Sequence, residues 1–196
     1  MRVCRVPFSS TPIPTDILAD LKATKRPVAD FVHCSPVMKV QEKLLDGRLA
    51  GKITWRCAIQ RNQDGEREWG RVATGDAAIA AQAKFCKSEE EHIIMLFLYA
   101  DKTCVTGDSR ISYWPIYLDL VNLHDKERHS LSGPMLVGFI PVVTGQSPKI
   151  AQARLRLYQF CMSTLIQDLK TASDGLRFHA HFGALGASWH CPFGLT

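Results

Sequence analysis

The clearest pattern along the chain is a series of three apolar runs in its second half, followed by a longer stretch with helical spacing. The runs cover residues 93–100, 113–121 and 136–143, and unbroken apolar runs of this length are typical of strands buried on both faces. Over residues 149–172 the apolar positions recur at helical spacing, which predicts a helix with one buried stripe. We expect this stripe to pack on one face of a sheet that contains all three strands. Its central members are Leu157, Cys161, Leu165 and Leu169.

The remaining elements carry weaker patterns. After the long helix, Asp174-Gly175 predicts a turn and residues 176–182 a fourth strand, so the order is strand, strand, strand, helix, strand. That order predicts an α+β fold. Elements predicted in the first half are helices at 16–22 and 37–45, a half-buried strand at 53–59, a turn at 62–65, a return strand at 69–72 and a helix at 77–85. Three tryptophans, Trp55, Trp69 and Trp114, are expected in the core, and the alternative is that they are base-stacking platforms.

Composition narrows the class of protein. The chain has 196 residues, of which 46% are hydrophobic, and this is ordinary for a globular protein with a sizeable core. Its net charge of +5 is compatible with a polyanionic partner but does not demand one. No apolar run approaches the roughly 18 residues that span a bilayer. The N-terminus also lacks the apolar centre of a signal peptide, so we expect an intracellular protein without a membrane partner.

The seven cysteines are odd in number and include no C-x-x-C pair. Both observations argue against a disulfide framework and against a zinc ribbon. We therefore expect reduced and mostly buried thiols. A zinc site formed by His179, His181, His190 and Cys191 is an alternative, as is a nucleophilic Cys104. The first lacks the closed ligand spacing of structural zinc, and the second lacks an evident base.

One carboxylate stands at the end of the first apolar run. Asp101 follows Phe97-Leu98-Tyr99-Ala100 directly, and a strand end can aim a carboxylate beyond the sheet from a rigid base. Such a layout suits a metal ligand. An isolated aspartate in this setting is, however, more typical of a strand end or turn.

The segments around and after Asp101 form an ordered series that resembles the catalytic core of Plavaka-type transposases, which are related to the CACTA transposon group. The series begins with a weaker match over residues 71–76 and continues to the fourth predicted strand. Its members are Tyr99-Ala100-Asp101-Lys102-Thr103, Gly107, Tyr113-Trp114-Pro115-Ile116-Tyr117-Leu118, Asn122, Lys126-Glu127-Arg128, Leu136-Val137-Gly138-Phe139-Ile140-Pro141-Val142, Tyr158-Gln159-Phe160-Cys161-Met162 and Gly175-Leu176-Arg177-Phe178.

This resemblance implies an RNase H-like domain and DNA transposition by metal-dependent strand cleavage and transfer. Asp101 would be the first carboxylate, a catalytic metal ligand for Mg²⁺ or Mn²⁺, because carboxylates from separate elements hold the two ions of such a centre. Apart from the resemblance, Lys102, Arg110 and Arg128 are candidates for contacts with DNA phosphates, and the alternative is that these scattered cations are ordinary solvated surface. The chain then divides into an irregular N-terminal extension (1–69), a partial RNase H-like core (70–183) and an unstructured tail (184–196).

The chain also departs from the family pattern. The second catalytic aspartate of the family lies beyond the matched segments, and the last acidic residue here is Asp174. We therefore expect a three-stranded sheet plus helix from an incomplete domain, without a tightly bound metal ion. The expected function is that of a catalytically inactive transposase remnant that acts in the nucleus if it acts at all. The alternative is a domesticated, non-catalytic protein that binds DNA or full-length transposase. Self-association through an open sheet edge is also expected, and a monomer would favour the domesticated alternative.

Overall fold

The structure, a computed structural model, describes residues 6–21, 28–104, 112–130, 133–172, 176–182 and 185–191, with side chains up to residue 172 except at 103–104 and 112–113. It is an α+β chain. The helices are α1 (Thr15–Leu21), α2 (Pro36–Leu44), α3 (Asp76–Phe85), α4 (Asp125–Arg128) and α5 (Pro148–Thr171). The strands are β1 (Ser9–Thr11), β2 (Phe31–His33), β3 (Gln60–Arg61), β4 (Arg67–Glu68), β5 (Leu96–Ala100), β6 (Thr103–Cys104), β7 (Ser112–Leu120), β8 (Met135–Ile140), β9 (Leu176–Phe182) and β10 (Leu185–Cys191).

The three apolar runs form neighbouring strands of one sheet, as predicted. The prediction that each run is buried on both faces is wrong for β5, where Phe97 is 57% exposed, because β5 stands at the end of the strand order. The strand order is β1-β2-β8-β7-β5, and β6 pairs with β7 outside this path. β7 and β8 are antiparallel, with Trp114 opposite Ile140 and a register shift between Ile116 and Tyr117. β5 is shorter than the first run, because residues 93–95 precede the strand.

The long helix buries the stripe that its spacing predicts. Leu157, Cys161 and Leu165 are at most 1% exposed, and Leu169 is 7% exposed. The prediction that these four side chains are buried is therefore confirmed. Aromatic contacts join α5 to two strands of the sheet. The rings of Trp114 and Tyr158 lie 5.8 Å apart between centroids, and those of Phe31 and Phe160 lie 6.5 Å apart.

The first forty residues contribute strands to the same sheet. β1 pairs with β2, and β2 pairs with β8, with Val32 opposite Phe139. Gly138 permits this close pairing, because a Cβ there would lie 3.2 Å from the Phe31 ring. The expectation of an irregular extension before residue 70 is corrected here, since these strands are too short to show an alternating pattern in sequence.

The predicted fourth strand is present as β9, but it pairs with β10 and not with the main sheet. β10 lies in the segment for which the sequence predicted an unstructured tail, so that expectation is also corrected. Antiparallel pairing of these two strands runs from Leu185 opposite Phe182 to Cys191 opposite Leu176.

The chain divides into two compact units. The first comprises Met1–Lys39, Leu98–Leu118 and Met135–Asp168, and the second comprises Val40–Phe97, Asp119–Pro134 and Leu169–Thr196. The first holds most of the main sheet. The second has its own small core, in which Ile79 and Met95 pack against the buried residues Cys57, Ala73, Ala78 and Ile93.

Within the second unit the predictions have mixed outcomes. The predicted helix at 77–85 is α3, and the predicted turn at 62–65 joins β3 to β4, with Gly65 at a φ of 82°. A strand over 53–59 is wrong, because only Ile53 makes a bridge, to Leu123. The return strand lies at Arg67–Glu68 instead of 69–72. Trp69 is 64% exposed, so its assignment to the core is also wrong.

Candidate functional site

Asp101 lies where the sequence places it, one residue past the end of β5. Its side chain is exposed, and β5 stands at the end of the strand order. Two residues earlier, the ring of Tyr99 contacts that of Tyr117 on β7, with 5.6 Å between centroids. This contact anchors the end of β5, so the carboxylate projects from an ordered strand end.

The described side chains do not complete a metal centre around this carboxylate. In the part of the chain where side chains are described, no group of three or more His, Cys, Asp or Glu side chains is placed to hold a metal ion. A two-metal centre of the implied kind needs carboxylates from several elements. The described side chains therefore do not fit the pair of Mg²⁺ or Mn²⁺ ions.

The predicted DNA-contacting residues fall in different settings. Lys102 is exposed next to Asp101, and Arg110 lies outside the described residues. Arg128, at the end of α4, is only 22% exposed and its Nε donates to Asp119 Oδ2 at 3.1 Å. Asp119 is itself 7% exposed, so Arg128 neutralises a buried carboxylate of β7. The Nε of Arg128 is therefore used in a bond within the fold.

A third charged side chain lies near this ion pair. Burial lowers the pKa of Lys43 on α2, while the negative charges of Asp46 and Asp119 act in the opposite direction. Asp46 in turn accepts hydrogen bonds from Arg48, and these hold the pKa of Asp46 below its usual range. The cluster is a network of internal pairs, in which each cation has an acidic neighbour.

Asn122 follows β7, and its buried side chain bonds backbone groups of the second unit. It is 1% exposed. Its Oδ1 accepts from the Met95 backbone N–H at 2.6 Å, and its Nδ2 donates to the backbone oxygens of Thr54 at 2.9 Å and Ile93 at 3.0 Å. These three bonds connect the Asn122 amide to backbone groups from two other segments of the chain.

Backbone hydrogen bonds reinforce this junction. Thr54 N–H donates to the Asn122 backbone oxygen at 2.7 Å, Val121 N–H to the Met95 backbone oxygen at 2.9 Å, and His124 N–H to the Lys52 backbone oxygen at 2.9 Å. Residues 93–95 lead directly into β5. Asn122 therefore fixes the entry to the strand that ends before Asp101, a role that the motif of the resemblance did not reveal.

The other chemistry-bearing side chains are mostly buried. Four of the seven cysteines have described side chains, and all four are free thiols. Cys34, Cys57 and Cys161 are buried and Cys86 is half-buried, in agreement with the prediction of reduced, mostly buried thiols. Burial raises the pKa of Cys161 to about 12, so its thiol is not a nucleophile near neutral pH. The side chains of Cys104, His179, His181, His190 and Cys191 lie outside the described set, which leaves those alternatives as predictions.

His92 is a second buried polar group. It is 5% exposed and its ring lies 5.7 Å from that of Trp55. Burial lowers its pKa, the charge of Arg56 lowers it further, and a hydrogen bond with the Trp55 backbone raises it. His92 is therefore a neutral core imidazole near neutral pH.

The searched part of the chain contains no helix of the length and apolar character required to cross a membrane. In a comparison with protein families, the model of the Plavaka transposase family matches residues 4–183. No curated protein and no solved structure matches the chain. The matched range takes in β1 and β2 as well as the three apolar strands and α5.

Proposed function

Since the chain belongs to the Plavaka transposase family, we propose that it is a transposase-derived protein in which Asp101 keeps the place of the first metal-binding carboxylate. We further propose that the 196-residue chain does not cleave DNA by itself. The observation that carries the proposal is the exposed Asp101 directly after the end of β5, within the range of the family match.

The topology supports an RNase H-like origin, in keeping with CACTA-related ancestry. β5, β7 and β8 are neighbours in the main sheet, and α5 and β9 follow them in the chain. In the ancestor, metal ions held by several carboxylates would activate the attacking oxygen and stabilise the leaving oxygen. A single exposed carboxylate holds Mg²⁺ weakly, because the ion loses its water reluctantly. This is the physical reason for proposing an inactive remnant.

A second candidate, a domesticated non-catalytic binding protein that acts in the nucleus, is favoured by the packing. The stripe of α5 is buried to the degree expected of a stable domain, and Asn122 satisfies three buried backbone groups. A chain that is not selected to fold would not be expected to keep such a network. A function in binding DNA or full-length transposase would select for a stable fold.

Nicking of supercoiled plasmid by the purified chain tests the first candidate. With Mg²⁺ or Mn²⁺ we expect the same background nicking for the unaltered protein, for Asp101→Asn and for Glu90→Gln, the last changing an exposed carboxylate on a separate loop. Divalent-dependent nicking that disappears in Asp101→Asn but persists in Glu90→Gln would overturn the inactive reading. Binding of duplex DNA at several salt concentrations tests the second, since phosphate contacts weaken steeply with salt.

A further inference from the structure

The β3–β4 hairpin separates its charges between its two faces. Gln60 pairs with Glu68 and Arg61 with Arg67. Because side chains alternate along a strand, the two arginines share one face, whereas Glu68 projects from the other. We call the face that carries Arg61 and Arg67 the basic face and the face that carries Glu68 the acidic face.

An exposed tryptophan extends the basic face. The guanidinium carbon of Arg67 lies 3.7 Å from the ring centroid of Trp69, which places both side chains on the same side. Arg67 is held in turn by Asp76 at 2.7 Å and by the Thr74 oxygen at 2.8 Å. The fixed cation supports one surface of the indole. Trp69 nevertheless remains 64% exposed, so it is a positioned aromatic platform facing solvent.

Further apolar and cationic groups lie along the same segment. Ile59 is 49% exposed and has the parity of Arg61, and Val72 is 53% exposed. The guanidinium of Arg61 uses Nη1 to bond the Gly65 oxygen at 2.7 Å, which leaves its other N–H groups on an exposed side chain. Arg71 is also exposed, and its contact with Thr54 is long, at 3.5 Å.

We propose that this face binds single-stranded DNA, with an unpaired base stacked on Trp69 and neighbouring phosphates on Arg61 and Arg71. A flat ring beside exposed cations is the arrangement that recognises a base and its backbone without regard to sequence. In a continuous duplex the base faces are covered by stacking, so Trp69 has no partner there. The choice of DNA as the occupant rests on the proposed function, whereas the geometry itself selects an unpaired strand over a duplex.

Fluorescence anisotropy with a labelled 12-nucleotide single strand and a labelled hairpin duplex tests this inference on the full chain. We expect tighter binding of the single strand. Trp69→Ala should weaken it about 5- to 150-fold, whereas Trp69→Phe should retain most of the affinity. Arg61→Gln should lower the slope of log affinity against log salt by about one. Glu68→Gln, on the acidic face, is the matched control and should not weaken binding. Thermal unfolding verifies that every variant is folded.

The results separate this inference from the proposed function. If duplex and single strand bind equally and Trp69→Ala changes neither, the inference is overturned while DNA binding stands. If no DNA binds, the inference and the DNA-binding candidate both fail, but the nicking result is unaffected. If a poly-glutamate peptide competes as well as the single strand and depends equally on Trp69, the surface binds an acidic protein segment and the inference is overturned.

Discussion

Replacing Asn122 with alanine should remove three side-chain hydrogen bonds at once and leave their backbone partners without replacements. The partners are the Met95 N–H and the oxygens of Thr54 and Ile93. Each such bond contributes about 1 kcal/mol net, so the loss begins near 3 kcal/mol. Backbone groups that stay buried and unsatisfied raise the cost, and we expect about 3–5 kcal/mol in total. This is a large fraction of the roughly 5–15 kcal/mol that stabilises a typical domain.

Urea unfolding followed by circular dichroism measures this loss. With a slope of about 2 kcal/mol per molar urea, a loss of about 3 kcal/mol moves the midpoint by about 1.5 M. Asn62→Ala is a matched control, because the Asn62 Oδ1 accepts two backbone hydrogen bonds, from Asp64 at 3.0 Å and Glu66 at 2.8 Å, in an exposed turn. Water can replace those bonds, so we expect a cost below about 1 kcal/mol. A loss for Asn122→Ala no larger than that of Asn62→Ala would refute the reasoning.

Other outcomes follow from the packing. Leu165→Ala should lower the free energy of unfolding by about 2–5 kcal/mol because the side chain is fully buried, whereas Leu155→Ala, at a site 57% exposed, should leave it nearly unchanged in the same urea assay. A thiol reagent at pH 8 should label half-buried Cys86 before Cys161, and labelling of native Cys161 at the rate of a free thiol would contradict its burial. The raised pKa of Cys161 also implies a contribution to stability that is complete below pH 9.0 and is lost as the pH rises towards about 12, as unfolding at stepped pH would reveal. The position of β5 at the end of the strand order predicts self-association, and a sharp monomer in light scattering at high micromolar concentration would count against it.

Long patterns in the sequence predict the fold well. The stripe of α5 is recognised by its helical period, and the strands β5, β7 and β8 are recognised by the length of their unbroken apolar runs. β1 and β2 span three residues each, which is too short for any period to appear, and they are recruited by pairing with β8. The alternation from Ile53 to Ile59 is misleading for a different reason. Its apolar positions do not share one environment, because Ile53 and Cys57 are buried whereas Ile59 is 49% exposed. The segment also contacts residues 121–124 through isolated hydrogen bonds instead of a strand ladder.

The candidate site is predicted only in part. Asp101 is found because its neighbours along the chain carry the pattern. The pairing of Arg128 with Asp119 and the three bonds of Asn122 depend on residues brought together by folding, so no local sequence pattern predicts them. Trp69 shows the same limit in reverse, because hydrophobicity suggests a core residue and only the stacked Arg67 explains how the ring is held at the surface.

The pairing of β2 with β8 has a consequence for how the protein is made. Cys34, just after β2, bonds the Leu136 oxygen 102 positions later, and Ser35 bonds Asp168 on α5 133 positions later. At about 5–20 residues per second, the ribosome needs roughly 5–20 seconds to supply the first of these partners after β2 emerges. The helices made in this interval, α2, α3 and α4, are only nine, ten and four residues long and are marginal in isolation. The main sheet therefore cannot form around β2 until β8 has been synthesised, and contacts this distant along the chain predict slow, late folding of the sheet, which exposes the nascent chain to aggregation.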